Sequence, residues 1–133
     1  MTEYVLETVT GPDTLDELQH TLDSAWAAEE VPDYTRLCMD LAVSEIGTNI
    51  IEHSGDGQPM KLRMVVTLSP DTVSIVLTDD GHPVVVDLSR TGMPDDLSDR
   101  GRGLASAHRV LDELRYTRND AGNRWVLMRR RSE

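Results

Sequence analysis

Leu41-Ala42-Val43-Ser44-Glu45-Ile46-Gly47-Thr48-Asn49-Ile50-Ile51-Glu52-His53 is the stretch on which the fold turns. It belongs to a helix expected from the Pro32-Asp33 entry to about His53, where Ser54-Gly55-Asp56-Gly57 stops it. Leu37, Leu41, Ser44 and Thr48 lie near one stripe of this helix, and Cys38, Ala42, Glu45, Asn49 and Glu52 or His53 near the next. The face thus begins apolar and carries polar groups through its last turns. A helix that served packing alone would keep its pattern to the end, and local conflicts of this kind mark functional sites.

Outward from this helix the chain alternates strands and helices. Upstream, Tyr4 to Val9 carries β-forming residues and predicts an edge strand before the turn pair Gly11-Pro12. Thr14-Leu15-Asp16-Glu17 has the capping-box pattern, and Leu15, Leu18, Leu22, Ala25 and Trp26 then recur at helical spacing to about Glu30. Trp26 is expected in the core, because burying the apolar face is what stabilises such a helix. Downstream, Met60, Leu62, Met64, Val66 and Leu68 alternate with Lys61, Arg63, Val65 and Thr67, and Ser69-Pro70-Asp71 turns the chain into a second strand. There Val73, Ile75, Leu77 and Asp79 occupy alternate positions, so a face that buries aliphatics presents a carboxylate at its end. Val84-Val85-Val86 suggests a little more strand, and Asp87 to Arg100, polar and without a sustained period, predicts a mobile loop.

Leu104, Ala107, His108, Leu111 and Leu114 restore helical spacing. Two strands follow, Arg115 to Arg118 and Arg124 to Met128, joined by the turn-rich Asn119-Asp120-Ala121-Gly122-Asn123. The order β-α-α-β-β-loop-α-β-β, without repeat or linker, predicts one domain over residues 1–133. Its class is α+β: a two-layer sandwich of a mixed, mostly antiparallel sheet with helices on one face.

A chain of 133 residues buries a core without metals or disulfides, and with no Phe the aliphatics and Met must fill it. The single Cys38 excludes an intramolecular disulfide and a multi-cysteine zinc site, which leaves packing as its role. No 18-residue apolar run occurs and Met1-Thr2-Glu3-Tyr4 lacks the parts of a signal peptide, so a cytoplasmic location is expected, with no membrane partner. With 24 acidic against 13 basic residues, the net charge of −11 repels nucleic acid and either favours a partner with a basic surface or serves solubility alone. Arg129-Arg130-Arg131 reads as a solvated tail at the chain end.

Three groups of residues carry chemistry. Glu45 and Asn49, four apart, project together from the helix, where an amide oxygen suits Mg²⁺ and a carboxylate one turn away accepts a proton from an attacking hydroxyl. Spacing alone favours a plain solvent-facing pair. Asp79, in phase with the core face, needs a partner such as an exocyclic amino group with a bridging water. Asp80-Gly81 alone is a hairpin signal, yet Gly81 also lets the backbone pass close to a planar base. Gly101-Arg102-Gly103 opens a helix, where free N–H groups favour phosphate and Arg100 or Arg102 adds charge, although a plain loop-to-helix junction looks the same. The four histidines have no paired ligand spacing; His53, one turn beyond Asn49, either reaches a phosphate or metal water or bonds a terminal carbonyl.

Leu41 to His53, Thr78-Asp79-Asp80-Gly81 and Gly101-Arg102-Gly103-Leu104 together resemble the N, G1 and G2 boxes of the GHKL ATPases, with their Bergerat ATP-binding fold. Within that superfamily the chain is most similar to the anti-sigma factor serine/threonine kinases of bacterial partner-switching systems, over roughly residues 14 to 130. The resemblance implies that Asn49 holds Mg²⁺, that Glu45 is the general base and that Asp79 binds the adenine amino group of ATP. It further implies that Gly81, Gly101 and Gly103 line base and phosphates, with Arg100, Arg102, Leu104 and His53 beside them, under an ATP lid at about residues 82–100. The implied reaction transfers the γ-phosphoryl group to a Ser or Thr of an anti-anti-sigma protein, while a kinase homodimer holds a sigma factor. Three positions depart from the family pattern: Ile50 follows the box asparagine in place of a small residue, Pro83 replaces the second G1 glycine, and Asn123 replaces a threonine, though its amide still suits a water bridged to adenine. The competing expectation is a non-catalytic module on the same fold that sequesters a partner and binds nucleotide weakly or not at all.

Overall fold

The computed structural model describes residues 1–55, 58–83 and 99–132. Alternating apolar residues build the strands. β1 (Thr2–Val9), β2 (Lys61–Leu68) and β3 (Thr72–Asp79) are followed by β4 (Glu113–Asn119) and β5 (Gly122–Arg130). They form a five-stranded sheet in the order β1-β2-β3-β5-β4, and each pairing in it is antiparallel. β1 is an edge strand, as its composition predicts. Leu62, Met64, Val66 and Leu68 of β2 and Val73, Ile75 and Leu77 of β3 all point to one face and are at most 2% exposed. On the opposite face Val5 and Val9 are 49% and 59% exposed, so among the described residues the helices cover the sheet from one side.

Among the described residues three α-helices cover that side: α1 (Thr14–Ala28), α2 (Asp33–Asn49) and α3 (Asp99–Val110). α2 touches both of the others. Its core face is Met39, Ala42, Val43 and Ile46, which meet Leu18, Leu22 and Ala25 of α1 and the aliphatics of the sheet in one cluster. Trp26 is buried in that cluster as expected, with its indole N–H donating to Asp40 Oδ1 at 2.9 Å, and Cys38 is a buried free thiol. The chain is thus an α+β two-layer fold with helices on one face of an antiparallel sheet.

Several local expectations are corrected. No capping box forms at α1: Thr14 Oγ1 instead donates to Gly11 O and accepts from Gly11 N, while Glu17 accepts from Thr8 Oγ1 on β1. Leu37 and Leu41 begin no buried stripe, since they are 63% and 38% exposed and the core face of α2 lies on the other side. The last helix stops at Val110, so His108 is exposed and Leu114 packs from β4 rather than from a helix. Gly101 and Gly103 do not open α3, which begins at Asp99 and holds both within its first two turns. The arginine tail is not free: Arg129 Nη1 donates to Val110 O at 2.8 Å, and Arg131 donates to Ser69 O and Glu30 O at 2.9 Å each. The suggested strand at Val84 to Val86 and most of the expected lid lie outside the described residues.

Candidate functional site

The site begins where α2 ends. Beyond Asn49 the helix widens into a π-helical turn, Ile50–Ser54, closed by a Gly55 N–H bond to Ile50 O at 3.3 Å. Such turns rotate the following side chains out of α-helical phase and recur at functional sites. Here the turn buries Ser54 and leaves His53 exposed, 3.9 Å from Glu52 Oε2. The Ser54 carbonyl accepts the His82 N–H at 2.7 Å, which ties the exit of β3 to the end of α2. Gly81 allows that approach, because a Cβ at this position would lie 2.5 Å from Ser54 O and 2.7 Å from Met60 Sδ.

Asp79 ends β3 on the core face and is 4% exposed. Its Oδ1 accepts the Gly81 N–H and the Asn123 side-chain amide, both at 2.9 Å. Its Oδ2 is buried and has no partner among the described residues. Burial pushes the Asp79 carboxyl above the usual carboxylate range; the Asn123 and Gly81 hydrogen bonds and Arg118 pull it back, while neighbouring Asp80 pushes the same way as burial.

Asn123 faces Asp79 across the β3–β5 ladder and is 1% exposed. Its Oδ1 receives the Tyr116 hydroxyl and Arg118 Nη1, the latter at 3.0 Å. Two donors on that oxygen leave the amide nitrogen one direction, toward three acceptors: Asp79 Oδ1 at 2.9 Å, His82 O at 2.7 Å and Ser54 Oγ at 3.4 Å. A second Arg118 bond to Gly81 O at 3.0 Å fixes the same corner. Gly122 makes the strand crossing possible, since its φ of +136° disfavours a side chain and a Cβ would meet Asp79 O at 2.0 Å. Asn123 was expected from its sequence position, whereas Ser54, Tyr116 and Arg118 were not.

Glu45 and Asn49 take different surroundings on α2. Asn49 is 4% exposed, and its amide nitrogen has no partner among the described residues. Half-buried Glu45 leans onto α3, where a Cβ on Gly103 would stand 2.5 Å from its Oε2. Leu104, next along α3, is buried in the core. The structure therefore joins Glu45 with Gly103, and Asp79 with Gly81 and Asn123. His53 joins neither group, and the side chains of Arg100 and Arg102 lie outside the described residues.

The donor set fits a purine nucleotide. A buried acceptor without a partner, Asp79 Oδ2, matches an exocyclic amino donor, and glycine at 81 and 103 leaves space where side chains would intrude. No cluster of three or more His, Cys, Asp or Glu residues stands ready for a metal among the described residues, so a cation here would take phosphate and water as most of its ligands. Asp79 and Asn123 also border a cleft of about 680 Å³ walled by Glu7, Lys61, Arg63 and Arg124, but neither Glu45, Asn49 nor Gly103 lines it. Among the described residues no helix is long and apolar enough to cross a membrane.

A family model described as the histidine kinase-like ATPase domain matches residues 9–130. No curated protein sequence matches the chain significantly. Among solved structures, the RsbU and RsbW domains of Rv1364c from Mycobacterium tuberculosis superpose with a TM-score of 0.70 at 15% identity, over 98% of this chain and 32% of that one. The histidine kinase domain of the blue-light activated kinase EL346 from Erythrobacter litoralis gives 0.57 at 17% identity, over 88% of this chain and 60% of that one. The catalytic domain of histidine kinase ThkA, in a nucleotide-free form, gives 0.59 at 12% identity, over 96% and 98%. The chain thus spans about a third of the first structure and three fifths of the second.

Proposed function

Because the chain belongs to the histidine kinase-like ATPase domain family, we propose that it is an ATP-dependent protein serine/threonine kinase of the anti-sigma type, acting on an anti-anti-sigma partner. The observation that carries this reading is Glu45: a half-buried carboxylate held against Gly103 of α3, one helical turn before Asn49. A module that only bound a partner has no use for a base in that position. Likeness in fold to a structure that contains an RsbW domain supports the anti-sigma assignment.

Mg-ATP, when bound, supplies the phosphoryl group and the charge neutralisation that its transfer needs. Asp79 offers its free Oδ2 to the adenine amino group, with Gly81 admitting the base. Asn49 offers its amide oxygen to the cation. Glu45 would take the proton of the partner's serine or threonine hydroxyl as that oxygen attacks the γ-phosphorus, while the bond from the γ-phosphorus to the β–γ bridging oxygen breaks and ADP leaves. Gly101 and Gly103 lie in the first turns of α3, where backbone N–H groups would meet the phosphates, and Arg100 and Arg102 would add positive charge. The anti-sigma role places a sigma factor on a homodimer of the kinase in the cytoplasm, where its charge of −11 suits a basic partner.

The test is phosphotransfer from radiolabelled Mg-ATP to a small single-domain anti-anti-sigma protein, sought first among the products of neighbouring genes. Glu45→Ala is expected to lower transfer by about 10²-fold or more, the scale of general-base loss, with ATP affinity retained. If calorimetry at millimolar nucleotide detects no ATP binding by the unaltered protein, the kinase reading fails and the non-catalytic module replaces it.

A further inference from the structure

Asn123 occupies the site in a way that goes past simple contact with a ligand. Its amide has one orientation, because the Tyr116 hydroxyl and Arg118 Nη1 both donate to Oδ1 and the nitrogen must face acceptors. That nitrogen grips Oδ1 of Asp79, whose second contact on the same oxygen is the Gly81 N–H. Both donors sit on one oxygen of the carboxylate, and the other is left bare. A carboxylate gripped in this way presents a single acceptor in a fixed direction.

We propose that Asn123 is a positioning residue which, locked by Tyr116 and Arg118, sets Asp79 to accept from a 6-amino purine and to reject a 6-oxo purine. This rests on the reading of the site as a nucleotide pocket. A 6-amino group donates to the bare oxygen, whereas a 6-oxo group brings a second acceptor against it and leaves both unpaired. Discrimination therefore requires Asp79 to remain ionised, since a protonated carboxyl would donate to the oxo group instead.

The charged neighbours of Asp79 among the described residues are few. Asp80 follows it just beyond the end of β3 and favours protonation; Arg118 reaches in from β4 and opposes it. β2 presents Leu62 across the ladder, and the π-helical turn presents Ser54, neither of them charged. His82 is exposed and enters this corner through its backbone carbonyl. With burial already pushing the carboxyl up, the Asn123 hydrogen bond is the largest restoring influence. Its removal moves protonation to higher pH.

Calorimetric titration of the full chain with ATP and with ITP between pH 5.5 and 8.5 tests the proposal. The unaltered protein is expected to prefer ATP throughout. In Asn123→Ala the ATP/ITP affinity ratio falls about tenfold, the scale of one hydrogen bond to a charged group. ATP affinity in this variant also declines at higher pH than in the parent, while ITP affinity rises on acidification. Tyr116→Phe, which removes the hydroxyl that donates to Oδ1, shows the same change in smaller measure, and it decides the matter alone if Asn123→Ala does not fold. A ratio and pH profile unchanged from the parent in the folded variants overturns the proposal. Absence of binding of either nucleotide to the parent overturns the nucleotide-pocket reading instead.

Discussion

Asp79 shows at the scale of one residue how a site and the stability of the fold oppose each other. Its folded-state pKa is raised, chiefly by burial. Protonation therefore stabilises the folded chain: that stability is complete below the ordinary carboxylate pKa of about 4 and is lost as pH rises through the folded value. At neutral pH the ionised group is a cost that a neutral isostere avoids. Asp79→Asn keeps an oxygen for the Gly81 and Asn123 donors, so the nucleotide-free variant is expected to melt higher than the parent at pH 8, with the gap closing toward pH 5. Added ATP should raise the parent's melting temperature and leave the variant's unchanged, and thermal melts with and without nucleotide at the two pH values check both parts. The inward phase of Asp79 was legible, because Val73, Ile75 and Leu77 set the strand's core face. Its holders were not: Ser54 meets Asn123 across 69 residues of chain, a contact that no local pattern encodes.

Helix pairing sets the position of Glu45. In an exposed helix Gly→Ala stabilises by up to about 1 kcal/mol, but at Gly103 the new Cβ would stand 2.5 Å from Glu45 Oε2, the far end of a flexible side chain. Glu45 can swing aside at little cost, so Gly103→Ala is expected to remain folded within about 1 kcal/mol of the parent by urea denaturation. On the kinase reading proposed above, phosphotransfer should fall about tenfold or more, since Glu45 has moved from the place of the proposed base. In a Glu45→Ala background the same substitution should be more stabilising than in the parent, and that difference identifies the contact as the cause. Strand phase, the Asp33 helix entry and the element order were readable from residue periodicity. Helix ends were less so: Thr14 satisfies Gly11 rather than its own helix, and Leu111 and Leu114 continue a helical spacing that the chain leaves at Val110 for β4. The outward position of Leu37 and Leu41 was hidden for a different reason. α2 has two apolar sides, and only packing against α1, α3 and the sheet selects which is buried.

Charge is unevenly distributed over the whole molecule. Residues 10–55, which hold α1 and α2, carry ten acidic side chains and a single basic one, Arg36. The helix-free face of the sheet carries Lys61, Arg63, Arg115, Arg124 and Arg130. Among the described residues four arginine–carboxylate pairs oppose the acidic excess, but three of them, Arg63–Glu7, Arg115–Glu113 and Arg130–Asp112, involve exposed partners. Such pairs contribute about 0–1 kcal/mol each and weaken in salt. Arg131–Glu29 is better shielded, with side chains 19% and 25% exposed, so screening affects it least. Salt therefore removes more repulsion than attraction. Between about 20 mM and 500 mM NaCl the Debye length falls from roughly 20 Å to 4 Å, which silences repulsion along the acidic helical layer. The melting temperature of the nucleotide-free chain should rise by about 2–8 °C over that range, the shift expected for 1 kcal/mol in a domain of this size. Differential scanning calorimetry measures it, and a fall would show that the surface ion pairs outweigh the self-repulsion of a −11 chain.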